Sequence, residues 1–259
     1  MLGRKIDFNH YRELQGLNAS VIKAGVSGVY QAYHALNSSF DNSAMAFGRA
    51  LHHYILERDT FDQHYTLSPK FDRRTKAGKE ASQAFEATLQ GKQAIDGDDM
   101  DKLIAIESNL KDNPFFVNAM KYCEPEMSYE WQSEDHVNMK ARLDLVDETG
   151  VIIDLKTVRS ADFKDVQREI ISRAYDVQML HYSKALQDKP RLVILAIEAE
   201  SAQFAIYDIS DLVYSAFTAE RYQRGIINSL EAMLLDRAPA KYPDHPQTMS
   251  LPSWAKEET

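Results

Sequence analysis

The chain has 259 residues, 44% hydrophobic and 27% charged, enough for one large domain or two small ones with no shortage of core-forming side chains. Thirty basic against 39 acidic residues leave a net charge of −9, which argues against an extended nucleic-acid-binding surface but not against a narrow, locally basic groove. The longest apolar run, Leu192 to Ile197, is six residues where a spanning helix needs roughly 20. No apolar stretch follows the charges of Met-Leu-Gly-Arg-Lys, so secretion is not expected. The single Cys123 excludes a disulfide scaffold, a structural zinc knuckle and a cysteine-ligated iron–sulfur cluster, so the expected compartment is the cytosol.

From Asn18 to about Leu67 the pattern predicts helices alone, with Asn18 or Ser20 capping the first and Ser43 capping the apolar segment Ala44 to Leu56. Within that segment Gly48-Arg-Ala-Leu-His52 combines small residues suited to close packing with a histidine that is either structural or a ligand, and His53 beside it leaves the choice open. A turn-rich stretch follows with five cations in ten residues, Lys70, Arg73, Arg74, Lys76 and Lys79, either a solvated helix start or a phosphate-binding strip. Two further helices are predicted over 79–90 and 97–111, and the helical half closes near Asn113-Pro114.

From Glu126 onward the period changes. Val137, Met139, Ala141, Leu143 and Leu145 alternate with Asn138, Lys140, Arg142 and Asp144, the signature of a half-buried strand. Asp147-Glu-Thr-Gly150 is a turn, and Val151 to Thr157 reads as the returning antiparallel strand of a hairpin. One helix over 164–187, a doubly covered strand Leu192 to Ala199, a strand Gln203 to Ile209 and a last helix over 211–235 complete a mixed α/β unit.

Asp154 and Lys156, two apart on a strand, project from one face, and the neighbouring strand ends its polar face at Asp144. Two carboxylates, an amine and the Leu155 carbonyl between them suit a hard cation and phosphoryl chemistry. An acid two before a lysine is often only an exposed charge pair, and Asp162 with Lys164 repeats the pattern in a polar turn. Asp154, however, interrupts a Val-Ile-Ile run, where an unpaired carboxylate is costly, so it needs a partner. Gln178 and Tyr182, four apart on the next helix, share a face, either over this site or as a surface amide and a packing tyrosine.

Seven ordered blocks resemble the RecE-type exonuclease VIII group of phage and prophage recombination nucleases in the PD-(D/E)XK superfamily. They are Leu17-Asn-Ala-Ser-Val-Ile-Lys23, Ala44-Met-Ala-Phe-Gly-Arg-Ala-Leu-His52, Asp72-Arg-Arg-Thr-Lys-Ala-Gly-Lys79, Glu126-Met-Ser-Tyr-Glu-Trp131, Lys140-Ala-Arg-Leu-Asp144, Ile153-Asp-Leu-Lys-Thr157 and Val177-Gln-Met-Leu-His-Tyr182. The resemblance implies an α/β fold: a PD-(D/E)XK nuclease core, a mixed central β-sheet flanked by helices, over 126–259, with a helical N-terminal region over 1–125, together one compact domain. It implies that His52, Asp144, Asp154 and the Leu155 carbonyl ligate Mg²⁺, with Mn²⁺ as a substitute, and that Lys156 is the catalytic lysine. Gln178 and Tyr182 would support the site and contact the scissile strand, Glu126 would be a further acidic site residue, and Arg73, Arg74, Lys76 and Lys79 would bind DNA. Leu143 stands where the superfamily name has proline, without disturbing the ligands. The implied activity is 5′ to 3′ resection of linear duplex DNA, leaving a 3′ overhang for a RecT-type single-strand annealing protein. The implied assembly is a homo-oligomeric ring, such as a tetramer. The rivals are another nuclease of the superfamily, an endonuclease included, and a catalytically silent DNA-binding scaffold.

Overall fold

The structure is a computed structural model and describes residues 3–38, 42–72, 74–186, 189–242, 244, 246, 248 and 249. A six-stranded mixed sheet forms its centre, in the order β1 (Arg4–Lys5), β4 (Cys123–Gln132), β5 (Asn138–Asp147), β6 (Ile152–Val158), β7 (Leu192–Glu198), β8 (Phe204–Asp208). All neighbours are antiparallel except β6 and β7, whose parallel pairing is bridged by α9 (Phe163–Ser172) and α10 (Tyr175–Leu186). A second, two-stranded parallel sheet joins β2 (Tyr65–Leu67) to β3 (Gln93–Ile95). Among the described residues no helix is long and apolar enough to cross a membrane.

Strand β7 explains the architecture. Leu192, Ile194 and Ala196 enter one apolar cluster and Val193, Leu195 and Ile197 the other, so the continuous apolar run is a strand covered on both faces. On one face lie α2 (Ala19–Ser27), α10 and α12 (Ala216–Met233), contributing Ile22, Val177, Met179 and Tyr222. The other face is covered by α4 (Ser43–Leu56), α7 (Gly97–Lys111) and α8 (Pro114–Tyr122), through Leu51, Leu103, Ile106, Leu110 and Phe116. The remaining helices are α1 (Phe8–Glu13), α3 (Val29–Asn37), α5 (Phe61–His64), α6 (Lys76–Glu86) and α11 (Ser210–Val213).

Several expectations need correction. The N-terminal half is not all-helical: β1, β2 and β3 are two or three residues long, too short to show a period, and exist through pairing with partners remote in sequence. Asn42, not Ser43, caps α4, its side chain accepting the Met45 N–H at 2.9 Å; Asn18 caps α2 in the same way. The helix expected over 79–90 is α6, shifted to Thr75 as cap, and Asn113-Pro114 opens α8 rather than closing the half, proline sitting in the first turn where no N–H is needed. The helix expected over 164–187 is two, broken at Ala174 with φ +52°. Gly48 is not needed for packing, since a Cβ there would stand 3.5 Å from Thr157 Oγ1, an ordinary contact.

Close approach does govern the crossing of α2 on α12. A Cβ on Gly225 would come within 2.5 Å of the Ile22 carbonyl oxygen, and one on Gly25 would collide with the Gly225 carbonyl. Asn228 Nδ2 donates to Gly25 O at 2.7 Å and Ser229 Oγ to Val21 O at 3.3 Å, tying α12 to the backbone of α2. Gly225→Ala is therefore expected to cost about 1–3 kcal/mol, read as a lower urea midpoint. An unchanged midpoint would show that the helices can part without loss.

Candidate active site

The site arises where two strands stop pairing. Strands β5 and β6 are registered only through Leu145–Ile153 and Val146–Ile152, so the next opposed positions are Asp144 and Asp154. There Asp144 Oδ2 accepts the Leu155 N–H at 2.8 Å. A carboxylate, not a backbone carbonyl, satisfies that donor, and the fork this opens holds both acids.

Asp154 is wholly buried, and the partners its burial demands are present. Its Oδ1 accepts from Gln178 Nε2 at 2.8 Å, and its Oδ2 pairs with the Lys156 ammonium. Burial works against the charge on Lys156, but Asp154 and Asp144 outweigh it and hold its pKa above the ordinary value. Gln178 Nε2 also donates to Tyr182 Oη at 2.9 Å, while Gln178 Oε1 accepts from Lys23 Nζ at 2.8 Å. The i, i+4 spacing on α10 thus becomes one chain of contacts from α2 to β6. Lys23 and Lys156 stand 4.7 and 4.9 Å from the Tyr175 ring centroid, both within cation–π range. Burial, then the Lys156 charge, lower the Lys23 pKa to about 7.

On the other side of the fork, His52 from α4 meets Asp144. Its Nδ1 is 3.4 Å from Asp144 Oδ2, and its Nε2 is 2.9 Å from the Leu155 carbonyl oxygen, to which it can donate. Burial opposes protonation of His52, but Asp144 outweighs it and lifts the pKa to about 9; the same contact holds Asp144 below the usual carboxylate range although burial raises it. Glu126 faces Asp144 across the β4–β5 register, between the pairs Pro125–Leu145 and Met127–Leu143. Its φ of +57° is unusual for a non-glycine residue within a strand and costs on the order of 1 kcal/mol, the kind of local strain that gathers at functional sites. Burial and the Asp144 charge push Glu126 up to about 7, against the pull of Arg142. Arg142 Nε stands 3.0 Å from Glu126 Oε2, and its other end reaches Glu57 Oε2 at 3.2 Å.

Ligand atoms of His52, Glu126 and Asp144 all lie within 4.8 Å of one another. Two carboxylates and an imidazole from three separate elements, with the Leu155 carbonyl alongside, form a donor set that fits a divalent cation. Asp154 lies outside this trio, its oxygens engaged by Gln178 and Lys156, although a carboxylate retains lone pairs beyond those two contacts.

The expected residues Asp144, Asp154, Lys156, Gln178, Tyr182, His52, Leu155 and Glu126 thus converge. His53 points away, to Thr60 Oγ1 at 2.9 Å. Lys140 donates to the carbonyls of Tyr11, Arg12 and Leu14 and Arg142 pairs with two glutamates, so both cations of β5 serve the fold around the site. Three cations of the basic strip are paired with acids near them: Lys70 with Asp98 at 2.9 Å, Arg74 with Asp72 at 2.9 Å and Lys76 with Glu80 at 3.8 Å. Lys79 is exposed, and Arg73 lies outside the described residues. Sequence reasoning gave no role to Glu57 or Lys23. For Lys23 a signal existed, because it is the one charge in the helix Ala19–Ser27.

No curated protein matches the chain. Among solved structures, one named "Putative exonuclease" from Eubacterium rectale is similar over 96% of each chain, with a TM-score of 0.65 at 14% identity, a likeness of fold. The structure named SSO0001 covers 82% of this chain and 84% of its own at 13% identity, but its TM-score of 0.33 carries no argument. Residues 20–241, which hold every strand of the main sheet but β1 and every residue of the fork, match the PDDEXK-like domain of unknown function (DUF3799). The chain therefore belongs to that PDDEXK-like family, and its mixed sheet flanked by helices is the fold of the PD-(D/E)XK nuclease superfamily.

Proposed function

We propose that the chain is a divalent-metal-dependent exodeoxyribonuclease that resects one strand of linear duplex DNA from its 5′ end. The observation that carries the reading is the β5–β6 fork, where Asp144, Asp154 and Lys156 meet at the first unpaired register position. Family membership supports a nuclease. The direction of resection, the ring, the DNA strip at Arg73, Arg74, Lys76 and Lys79, and the hand-over to an annealing protein rest on the RecE-type resemblance.

Asp144, Asp154, Glu126, His52 and the Leu155 carbonyl would hold the cation, Mg²⁺ or Mn²⁺ by the hardness of the oxygen donors. Bound there, it would supply Lewis acidity at the phosphoryl and departing oxygens and would lower the pKa of bound water. The chain does the rest by position. Lys156, fixed against Asp154 and the Tyr175 ring, presents an ammonium that offsets charge gathering on the phosphate oxygens. Gln178, held by both Lys23 and Tyr182, aims the Asp154 carboxylate. The Nε2 bond from His52 to Leu155 O leaves Nδ1 directed at the carboxylates.

The test is digestion of a 5′-end-labelled linear duplex beside a covalently closed circle, with Mg²⁺ or with chelator. Loss of the linear form in Mg²⁺ alone, an intact circle and early release of label as mononucleotide are expected. Cutting of the circle would make the chain an endonuclease, and DNA binding without cleavage would make it a scaffold.

A further inference from the structure

A second feature lies on the far side of Gln178 from the carboxylates. A cavity of about 630 Å³ opens between α2, the α9–α10 junction and α12, lined by Lys23, Arg173, Arg221 and Arg224 together with Ser20, and no carboxylate lines it. Two acids pair with these cations from outside the lining: Asp176 Oδ1 accepts from Arg221 Nη2 at 3.3 Å, and Glu169 stands 3.6 Å from Arg173 Nε. Three arginines, with Lys23 only about half protonated near pH 7, face two carboxylates, which leaves a positive excess at the cleft of a chain whose net charge is −9.

The four cations have different duties. Arg221 is structural, its guanidinium also donating to the Ile171 carbonyl at 2.6 Å and so tying the end of α9 to α12. Arg224 spends its Nε on the Val26 carbonyl at 3.1 Å, which holds an exposed guanidinium at the mouth with the fork geometry suited to phosphate oxygens. Arg173 follows α9 and is exposed, its side chain making, among the described residues, the long contact to Glu169. Lys23 forms the inner wall, and through Gln178 it is two hydrogen bonds from Asp154. The cleft and the fork therefore share a wall. A strand whose scissile phosphate lies at Asp154 and Lys156 has this concavity beside it, whereas Lys70, Arg74 and Lys76 of the exposed strip are paired with acids of their own.

We propose that this cleft binds a phosphate group of the DNA strand next to the scissile one, with Arg173 and Arg224 at its mouth and Lys23 at its inner wall. The proposal rests on the nuclease reading above. The phosphate is either a terminal monoester or an internal diester, and the substrate ends in the test separate the two.

In a Lys156→Ala background, which holds the DNA uncut, dissociation constants of a fluorescent linear duplex are measured by anisotropy between 50 and 200 mM KCl. Arg173→Gln/Arg224→Gln is expected to weaken binding about tenfold and to lower the slope of log K against log salt by about 0.9 for each phosphate no longer neutralised. Lys92→Gln/Lys121→Gln, an equal change of net charge elsewhere, is the control. A defect confined to 5′-phosphorylated ends identifies a terminal monoester, and an equal defect on 5′-hydroxyl ends an internal diester. An unchanged slope, or one matched by the control, overturns the cleft. Cleavage by the otherwise wild-type chain is assayed in parallel. Intact cleavage with no cleft effect sinks the cleft alone; a cleft-dependent affinity without any cleavage sinks the nuclease reading and leaves the phosphate site standing.

Discussion

Asp154→Asn and Lys156→Ala are each expected to lower the rate of DNA cleavage by about a thousandfold or more, the scale on which one preorganised charge-stabilising group contributes. The asparagine is the sharper experiment. It keeps the shape and the acceptor for Gln178 Nε2 while removing one of two buried negative charges at the fork. Lys156 loses one carboxylate but keeps the charge of Asp144, and the repulsion between the two acids is relieved, so folding should survive, a trade of activity against stability common at active sites. Lys156→Ala instead leaves Asp154 without its cation, so its melting temperature should fall while that of Asp154→Asn holds. Single-turnover cleavage with saturating enzyme separates the chemical step from binding. Near-normal turnover in either variant would remove the fork from the mechanism.

The second large effect concerns acid stability and lies away from the chemistry. His181 on α10 is wholly buried beside Trp131, with Nδ1 3.0 Å from Tyr222 Oη and Nε2 3.0 Å from the Lys140 carbonyl. A neutral ring meets both partners, Nε2–H donating to the carbonyl and Nδ1 accepting the Tyr222 hydroxyl proton. Burial lowers its pKa to about 4, only partly offset by the bond to Lys140, against about 6.5 in the unfolded chain. The folded pKa lies below the unfolded one, so the unfolded state takes up the proton first. Stability is full above about pH 6.5 and falls as the pH drops toward 4, by up to about 1.4 kcal/mol per unit and roughly 3 kcal/mol in all. Urea midpoints across pH 4–7 should show this loss, and His181→Asn should show a flatter profile. Equal slopes would mean the ring takes up its proton as readily in the folded chain as in the unfolded one.

Strands β5 to β8 and the helices α4 and α7 were legible because period and composition are local properties, whereas β4 was not delimited and the helix expected over 211–235 is α11 and α12. Alternation over Val137 to Leu145 became β5, the apolar run from Leu192 became β7, and α7 begins and ends where its pattern does. The break at Ala174 was not legible, because a left-handed alanine carries no signature in composition and is imposed by the packing of α10 under the sheet. Strands β1 to β3 were invisible because of their length: two or three residues have no period, and their hydrogen bonds go to distant chain.

At the site, the sequence by itself determined the members. The carboxylate buried in an apolar strand and the lysine two residues on follow from spacing, the amide and tyrosine four apart on a helix were left open by it and included through the resemblance, and the structure joins them as Asp154, Lys156, Gln178 and Tyr182. Only the tertiary structure decided their relations. The end of the β5–β6 ladder at Leu145 sets the fork, the left-handed Glu126 turns a third acid toward Asp144, and α4 brings His52 from the N-terminal half of the chain to meet it. Lys23 enters only because two glycines let α2 lie against α12. The physical reason is that spacing fixes which face of one element a side chain occupies, whereas distances between elements are set by where ladders stop and how closely backbones approach, and those depend on contacts among residues far apart in the chain.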